Sequence, residues 1–305
     1  MVFPAILTGL LGGAIRGSIP YIYVSLGECL TEKSGRLNLG MEGILLMGAM
    51  TAFGISDKTG SPWTGVLAAA CVGALLGLLH AVVTELPRVN DVAAGIAMFV
   101  FGSGLAFYFG KQFVAPMAPQ LSVIEFGTWT SDLALRSALR ISPLFFLGAA
   151  VAFLLNYMLK FTRWGLHIRA VGDAPQAARA MGISTRHYRI VATTIGASLA
   201  AVGGAHLTLY FPGIWSEGIS GGQGLMAVAL VIFARWNPLR CLVASLFFGG
   251  AQALGPALQS AGFNGFYHIF NASPYLLTLV LMIASCSSDR RLAGMPGALG
   301  SGAHD

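Results

Sequence analysis

Any chemistry in this chain has to come from a small set of polar side chains, and the usual catalytic spacings are missing. There is no G-x-x-x-x-G-K-[ST] phosphate cradle. Gly110-Lys111 comes nearest, but Gln112 stands where a magnesium-binding hydroxyl is required. Neither H-E-x-x-H nor G-x-S-x-G occurs, and the six histidines are dispersed. The chain is therefore read as a non-enzyme that does not hydrolyse ATP itself. Its densest polar run beside an apolar span is ECLTEKSGRLNLGMEG, Glu28 to Gly43. Glycines at 35, 40 and 43 permit a broken or sharply turned helix there. Asn38 and Glu42 have two readings. Asn38 can cap the helix that follows, with Glu42 complementing its dipole. Alternatively, both border a solute pathway, because polar groups at membrane depth are tolerated where they line a cavity. Asn90 and Gln223 complete the candidate pathway set. Asn90, with Asp91, also suits a helix cap, and Gln223 and His206 also suit interhelical hydrogen bonds.

A second polar feature is FTRWGLHIRAVGDAPQAARAMGISTRHYR, Phe161 to Arg189. It carries Arg163, Arg169, Arg179, Arg186 and Arg189 against the single acid Asp173. So biased a loop belongs on the cytoplasmic side of a membrane protein. Within it, Asp173-Ala174-Pro175 reads as a helix start, an acceptor followed by proline in the first turn. Ala177, Ala178 and Ala180 favour helix, and Gly182 stops it. A helix of about two turns does not hold itself in water. The loop is either a solvated topological linker or a docking element for a cytoplasmic partner, and the second reading is preferred.

The elements that position these residues are apolar. Of 305 residues, 55% are hydrophobic and 10% charged, with a mean hydropathy of +0.73. Soluble domains carry about a quarter charged residues, so this composition predicts an all-α polytopic integral membrane protein. The 40 glycines suit close helix packing. The net charge of +6 follows from arginines placed as orientation signals and implies no nucleic acid. Cys29, Cys71, Cys241 and Cys286 show no metal or redox spacing and read as small packing residues. The N-terminal apolar run lacks a basic leader and reads as a retained span.

In chain order, Pro4 to Gly27 is one span, or two segments broken around Gly17 and Pro20. Leu37 to Ile55, Trp63 to Leu86 and Val92 to Val114 follow. The stretch 115–141 reads as the long extracytoplasmic loop. Ser142 to Lys160 and Ile190 to Tyr210 flank the arginine-rich loop at 161–189. Leu225 to Ala234 is too short to cross, although a run from Ile219 would cross with tilt. Cys241 to Leu258 and Asn271 to Ser285 close the set, stopped by Asp289, Arg290 and Arg291. The pattern gives about nine spans, or about ten with the first run split, in which case the N-terminus lies inside. Arg136 and Arg140 on the outer loop run weakly against this orientation.

Four motifs occur in order: LTEKSGRLNLGMEGILLMGA, GLHIRAVGDAPQAARAMGI, SGGQGLMAVALVIFARWNP and RRLAGMPGALG. With them the chain resembles the permease subunits of bacterial ATP-binding-cassette importers serving simple sugars, nucleosides and branched-chain amino acids. The form NLGMEG is similar to the nucleoside branch. The resemblance covers nearly the whole chain and implies one transmembrane permease domain over 1–305 in a bacterial inner membrane. Its implied partners are a cytoplasmic ABC ATPase holding ATP and magnesium, a second permease (a homologue), an extracytoplasmic solute-binding protein and membrane lipid. No cofactor is implied on this chain. Gly172, Asp173, Pro175, Ala178, Arg179 and Gly182 would form the cytoplasmic coupling helix seated on the ATPase. The implied cargo is a nucleoside-like solute, with a ribose-like sugar as the alternative. An ATP-independent secondary transporter or channel is the rival of another class, and has no use for a docking loop. The chain departs from the family pattern after ALG, where Gly300-Ser301-Gly302-Ala303-His304-Asp305 replaces the usual proline-tyrosine.

Overall fold

The first apolar run folds as one helix, α1 (Val2–Lys33), not two. Pro20 lies inside it and cannot donate to the carbonyl of Arg16. His206 Nε2 takes that carbonyl instead, at 3.1 Å, so the helix continues through the proline. The bond also assigns the tautomer: Nε2 carries the proton and Nδ1 is left as an acceptor. From Gly17 to Glu32, α1 is buried on every face. The computed structural model describes residues 2–113, 118–260, 270, 272–285 and 294–300. Cys286, the stop at Asp289, Arg290 and Arg291, the tail 301–305 and positions 115–117 of the outer loop lie outside the described residues.

Around α1 the chain is almost entirely helical. α2 (Met41–Thr59), α3 (Pro62–Thr84) and α4 (Asp91–Gly110) follow it. The segment to Ser142 holds a short α5 (Leu133–Ala138) and a two-residue antiparallel pair, β1 (Ile124–Glu125) with β2 (Arg140–Ile141). α6 (Pro143–Phe161) leads to α7 (Arg163–Asp173) and α8 (Pro175–Ala180), then α9 (Thr185–Leu209). α10 (Gln223–Phe233), α11 (Pro238–Ser260), α12 (Ser273–Ser285) and α13 (Gly297–Gly300) complete the described elements. Five helices, those starting at Pro62, Asp91, Pro143, Thr185 and Pro238, are long and apolar enough to cross a membrane. They enclose α1 and α2, and Leu67, Leu75, Val100, Phe153, Leu154 and Phe247 point outward. The chain is an all-α polytopic membrane protein.

α1 packs most extensively on α11 and α9. The α1–α9 contact is glycine to glycine: a Cβ on Gly27 would meet the Gly196 carbonyl oxygen at 2.2 Å. Backbones this close need small residues, which accounts for part of the glycine content.

The break expected over 28–43 is a turn between helices. Glu28 and Glu32 belong to the end of α1, and α2 starts at Met41. Asn38 shapes the turn, its Oδ1 accepting from Gly40 N at 2.9 Å. A longer tilted helix from Ile219 does not form, because Gly218, Gly221 and Gly222 have φ of 78°, 53° and 79° and turn the chain. α10 is therefore an 11-residue half-length helix. Because α1 is unsplit, its N-terminal half lies with the 118–142 segment, where a Cβ on Gly12 would meet Ala138 Cα at 2.8 Å. The expectation that a split run puts the N-terminus on the side of the arginine-rich loop is thereby corrected.

Candidate functional site

At one end of the bundle, α7 and α8 form a clamped, partly exposed element. α7 starts with Thr162 Oγ1 accepting from Gly165 N at 3.1 Å. Asp173 is the last residue of α7, so it does not cap α8 as expected. Ala174 holds the cap position and makes no side-chain bond there. Pro175 occupies the first turn of α8. The end of α8 is a full Schellman motif, with Ile183 N to Ala178 O at 3.0 Å and Gly182 N to Arg179 O at 2.9 Å. Gly182 has φ 79°, and a Cβ there would meet nothing within 4 Å, so backbone conformation alone selects glycine.

Ala178 is 4% exposed, so it faces into this chain. Asp173, Gln176, Ala177, Arg179 and Ala180 are exposed, and Met181 is 81% exposed. Arg179 donates from Nε to Thr185 Oγ1 at 3.3 Å. Gly172 joins this element to α1: a Cβ on it would lie 2.2 Å from the Lys33 carbonyl oxygen. The described part of the last motif closes on the same place. A Cβ on Gly297 would meet Asp173 O at 2.3 Å, and Lys33 Nζ donates to Gly294 O at 3.0 Å.

Behind α7 lies a charge cluster. Arg36 bridges Glu85 at 2.8 Å and Asp91 at 2.9 Å, and the buried Arg189 lies 3.7 Å from Glu85. Asn90 sits here, exposed, with Oδ1 accepting from Val92 N at 2.9 Å and Ala93 N at 3.1 Å. Its side chain caps α4, as the alternative reading of Asn90 expected. In the same region Glu28 Oε1 accepts from Asn38 N at 2.8 Å, and Glu32 accepts from Trp236 Nε1. Asn38 is thus a fully buried turn residue tied to α1.

Glu42 lies in the first turn of α2, but its side chain serves another helix. Its carboxylate accepts from Ser220 Oγ, from Gly222 N at 3.1 Å and from Gly224 N at 2.6 Å. These are the free donors at the start of α10, whose own cap position, Gly222, supplies no side chain. Glu42 is therefore the cap of a helix about 180 residues away. The long-range partner could not be read from local spacing.

Gln223, the first residue of α10, is brought to a cavity. A small cavity of about 50 Å³ is bordered by Arg16, Gly17 and Pro20 of α1, Leu207 of α9, Phe211, Pro212 and Ile219 of the connecting loop, Gln223, and Gln252 of α11. That is far below the roughly 300–1,000 Å³ typical of small-molecule sites. Gln223 is 4% exposed. Among the described residues, four buried polar atoms here have no partner: Arg16 Nε, Gln223 Oε1, Gln252 Oε1 and, behind Arg16, His206 Nδ1. Each unpaired buried group costs about 1–3 kcal/mol, an unusual concentration of expense around one space. Sequence reasoning named Gln223 as a pathway candidate and gave His206 as an interhelical hydrogen-bond partner, the bond it makes to Arg16 O. It missed Arg16 and Gln252, although an arginine within an apolar run was the available signal. Asn38, Glu42 and Asn90 do not line this cavity.

Comparison with known proteins agrees with this architecture. Residues 3–286 match the family described as branched-chain amino acid transport system, permease component. A Haloferax volcanii protein with the provisional name of glucose ABC transporter permease is 34% identical, covering 83% of this chain and 78% of its own. The nucleoside ABC transporter permease of Lactococcus lactis is 31% identical, covering 87% and 88%. The guanosine ABC transporter permease of Bacillus subtilis is 29% identical, covering 86% and 87%. With a match over most of its length and the helical architecture described above, the chain belongs to this family of ABC transporter permease subunits.

Proposed function

We propose that the chain is one of two permease subunits in a bacterial inner-membrane importer that moves a nucleoside-like solute into the cytoplasm. The second permease is a homologue, an extracytoplasmic binding protein delivers the solute, and a separate ATPase holds ATP and magnesium. The chain itself binds no cofactor. The outward apolar side chains of α3, α4, α6 and α11 face lipid or the companion permease.

The observation that carries this reading is the α7–α8 element. Its exposed face includes Ala177, Arg179, Ala180 and Met181, while Gly172 seats its other side on the end of α1. A partner pressing on that face would act on the helix that reaches the cavity. Arg16 and Lys33 are about 25 Å apart along α1 at 1.5 Å per residue. Rocking of α1 would then expose the cavity alternately to the two sides. A simple sugar is the second reading for the solute, favoured by the glucose permease name of the 34% identical relative.

The test is co-purification of an ABC ATPase subunit with this chain. Met181→Asp should abolish capture while leaving pairing with the companion permease intact. Normal capture and normal stimulation of ATP turnover by that variant would reduce the loop to a topological linker.

A further inference from the structure

α6 runs from Pro143, next to the 118–142 segment, to Phe161. Its 19 residues measure about 28 Å at 1.5 Å per residue, close to the thickness of a bilayer's hydrocarbon core. Phe161 therefore stands at the level of the cytoplasmic headgroups. Phe153, Leu154, Tyr157 and Phe161 form an exposed stripe down one face, with the Tyr157 and Phe161 rings 5.4 Å apart. Beyond Phe161 the chain turns sharply. Thr162 leaves the helical backbone, and a Cβ on Gly165 would overlap the Met158 carbonyl oxygen, so α7 starts pressed on the last turn of α6. Gly165, Ile168, Val171 and Gly172 bury one side of α7, while Arg163, Trp164 and Leu166 are exposed. The Trp164 ring lies 5.4 Å from Tyr188 and 6.5 Å from His187. That contact brings the start of α9, with Arg186 exposed, to the same corner as the exposed Lys160.

We propose that this corner binds the phosphate of an anionic phospholipid of the cytoplasmic leaflet. Lys160, Arg163 and Arg186 surround the headgroup, and Trp164 marks the boundary between headgroup and tail. Charge identifies the occupant. None of the three cations forms an ion pair among the described residues. Neither α7 nor α9 has an acid in its first turn, so each arginine adds to the positive end of its helix dipole. Asp173, the one acid of α7, lies at the far end of that helix, about 15 Å from Arg163 along the axis. The arginine fork matches phosphate oxygens, and tryptophan favours the membrane–water interface. The ATPase is the less suitable occupant. Phe161 continues the stripe that α6 turns outward within the membrane, whereas the exposed face of α8 that carries Ala177 and Met181 begins only after Asp173.

The experiment uses the full complex, both permeases with the ATPase, in phosphatidylcholine nanodiscs. A trace of photo-crosslinking phosphatidylglycerol is added, or, in parallel, phosphatidylcholine with the same label. Attachment within 157–190 is read by mass spectrometry. The phosphatidylglycerol label should attach at least tenfold more than the phosphatidylcholine label. Arg163→Gln and Arg186→Gln should each lower that preference about fivefold, the usual contribution of one basic residue near an anionic surface. The two together should abolish it. Arg163→Lys with Arg186→Lys keeps the charge and should keep most of the preference. ATPase capture should stay at the wild-type level in all these variants. Equal attachment of the two labels to the wild type overturns the proposal, as does a wild-type preference in the double glutamine variant. Loss of ATPase capture by that variant, with its lipid preference intact, assigns the corner to the ATPase and overturns the proposal as well.

Discussion

Glu42 accepts from Ser220, Gly222 and Gly224, so glutamine in its place turns an N–H2 group toward donors. Glu42→Gln should cost about 1–3 kcal/mol, the penalty for an unpaired buried group, and Glu42→Ala at least as much. The measurement is the melting temperature of the assembled complex beside uptake per complex. Loss of uptake should track loss of stability. A stable variant with no uptake would restore Glu42 to the pathway. The amino-acid sequence marked this residue because an acid beside an apolar run is conspicuous. Its role was hidden because its three partners lie about 180 positions away. Asn90 was the easier case: its two bonds reach only two and three residues ahead, within the span of a local motif. Arg16, His206 and Gln252 were illegible as a group, since only the path of α1 past α9 and α11 unites them.

α8 shows how an element can be half legible. Proline in the first turn and Gly182 at its end were readable, and both hold. The start was misplaced by Asp173, which continues α7 because Gly172 packs against Lys33 and extends that helix. Which alanine faces the partner was beyond a six-residue pattern. Ala178 is inward, so Ala178→Trp should overpack this chain and distort α8 itself, by about 1–3 kcal/mol. Ala177→Trp, on the exposed face, should leave α8 folded and block only the partner. Limited proteolysis of the loop beside ATPase capture separates the two: Ala178→Trp should fail both, Ala177→Trp capture alone. Gly182→Ala forces a side chain into the left-handed region and should cost roughly 1 kcal/mol. It should appear as faster hydrogen exchange at Gly182 and Ile183. Matching exchange in mutant and wild type would mean the Schellman turn contributes nothing.

For the whole molecule, the order of the apolar segments was legible from hydropathy, but the count of nine or ten spans and the place of each helix in the bundle were not: among the described residues, five helices are long and apolar enough to cross. α1 reads as an ordinary first span, yet it is the buried centre, and an intact α1 sets the N-terminus on the side of the 118–142 segment. A cysteine at Thr128 should be labelled from outside and one at Ala177 from the cytoplasm, with an N-terminal tag accessible from outside. Labelling of the tag together with Ala177 would mean α1 does not cross. Arg136 and Arg140, the two charges that weighed against this orientation, both pair with Glu125 at 3.3 Å. The centrality of α1 also sets a schedule for synthesis. Glu32 is held by Trp236, 204 positions later, and Ser25 meets Ser245, 220 positions later. At about 5–20 residues per second, the ribosome needs roughly 10–40 s to supply those partners. During that interval the helix destined for the interior stands at the lipid boundary with Glu32 still lacking its Trp236 partner. Biogenesis of this chain therefore depends on whatever shelters α1 while the ribosome finishes, and a nascent chain halted before Trp236 is a natural substrate for membrane quality control.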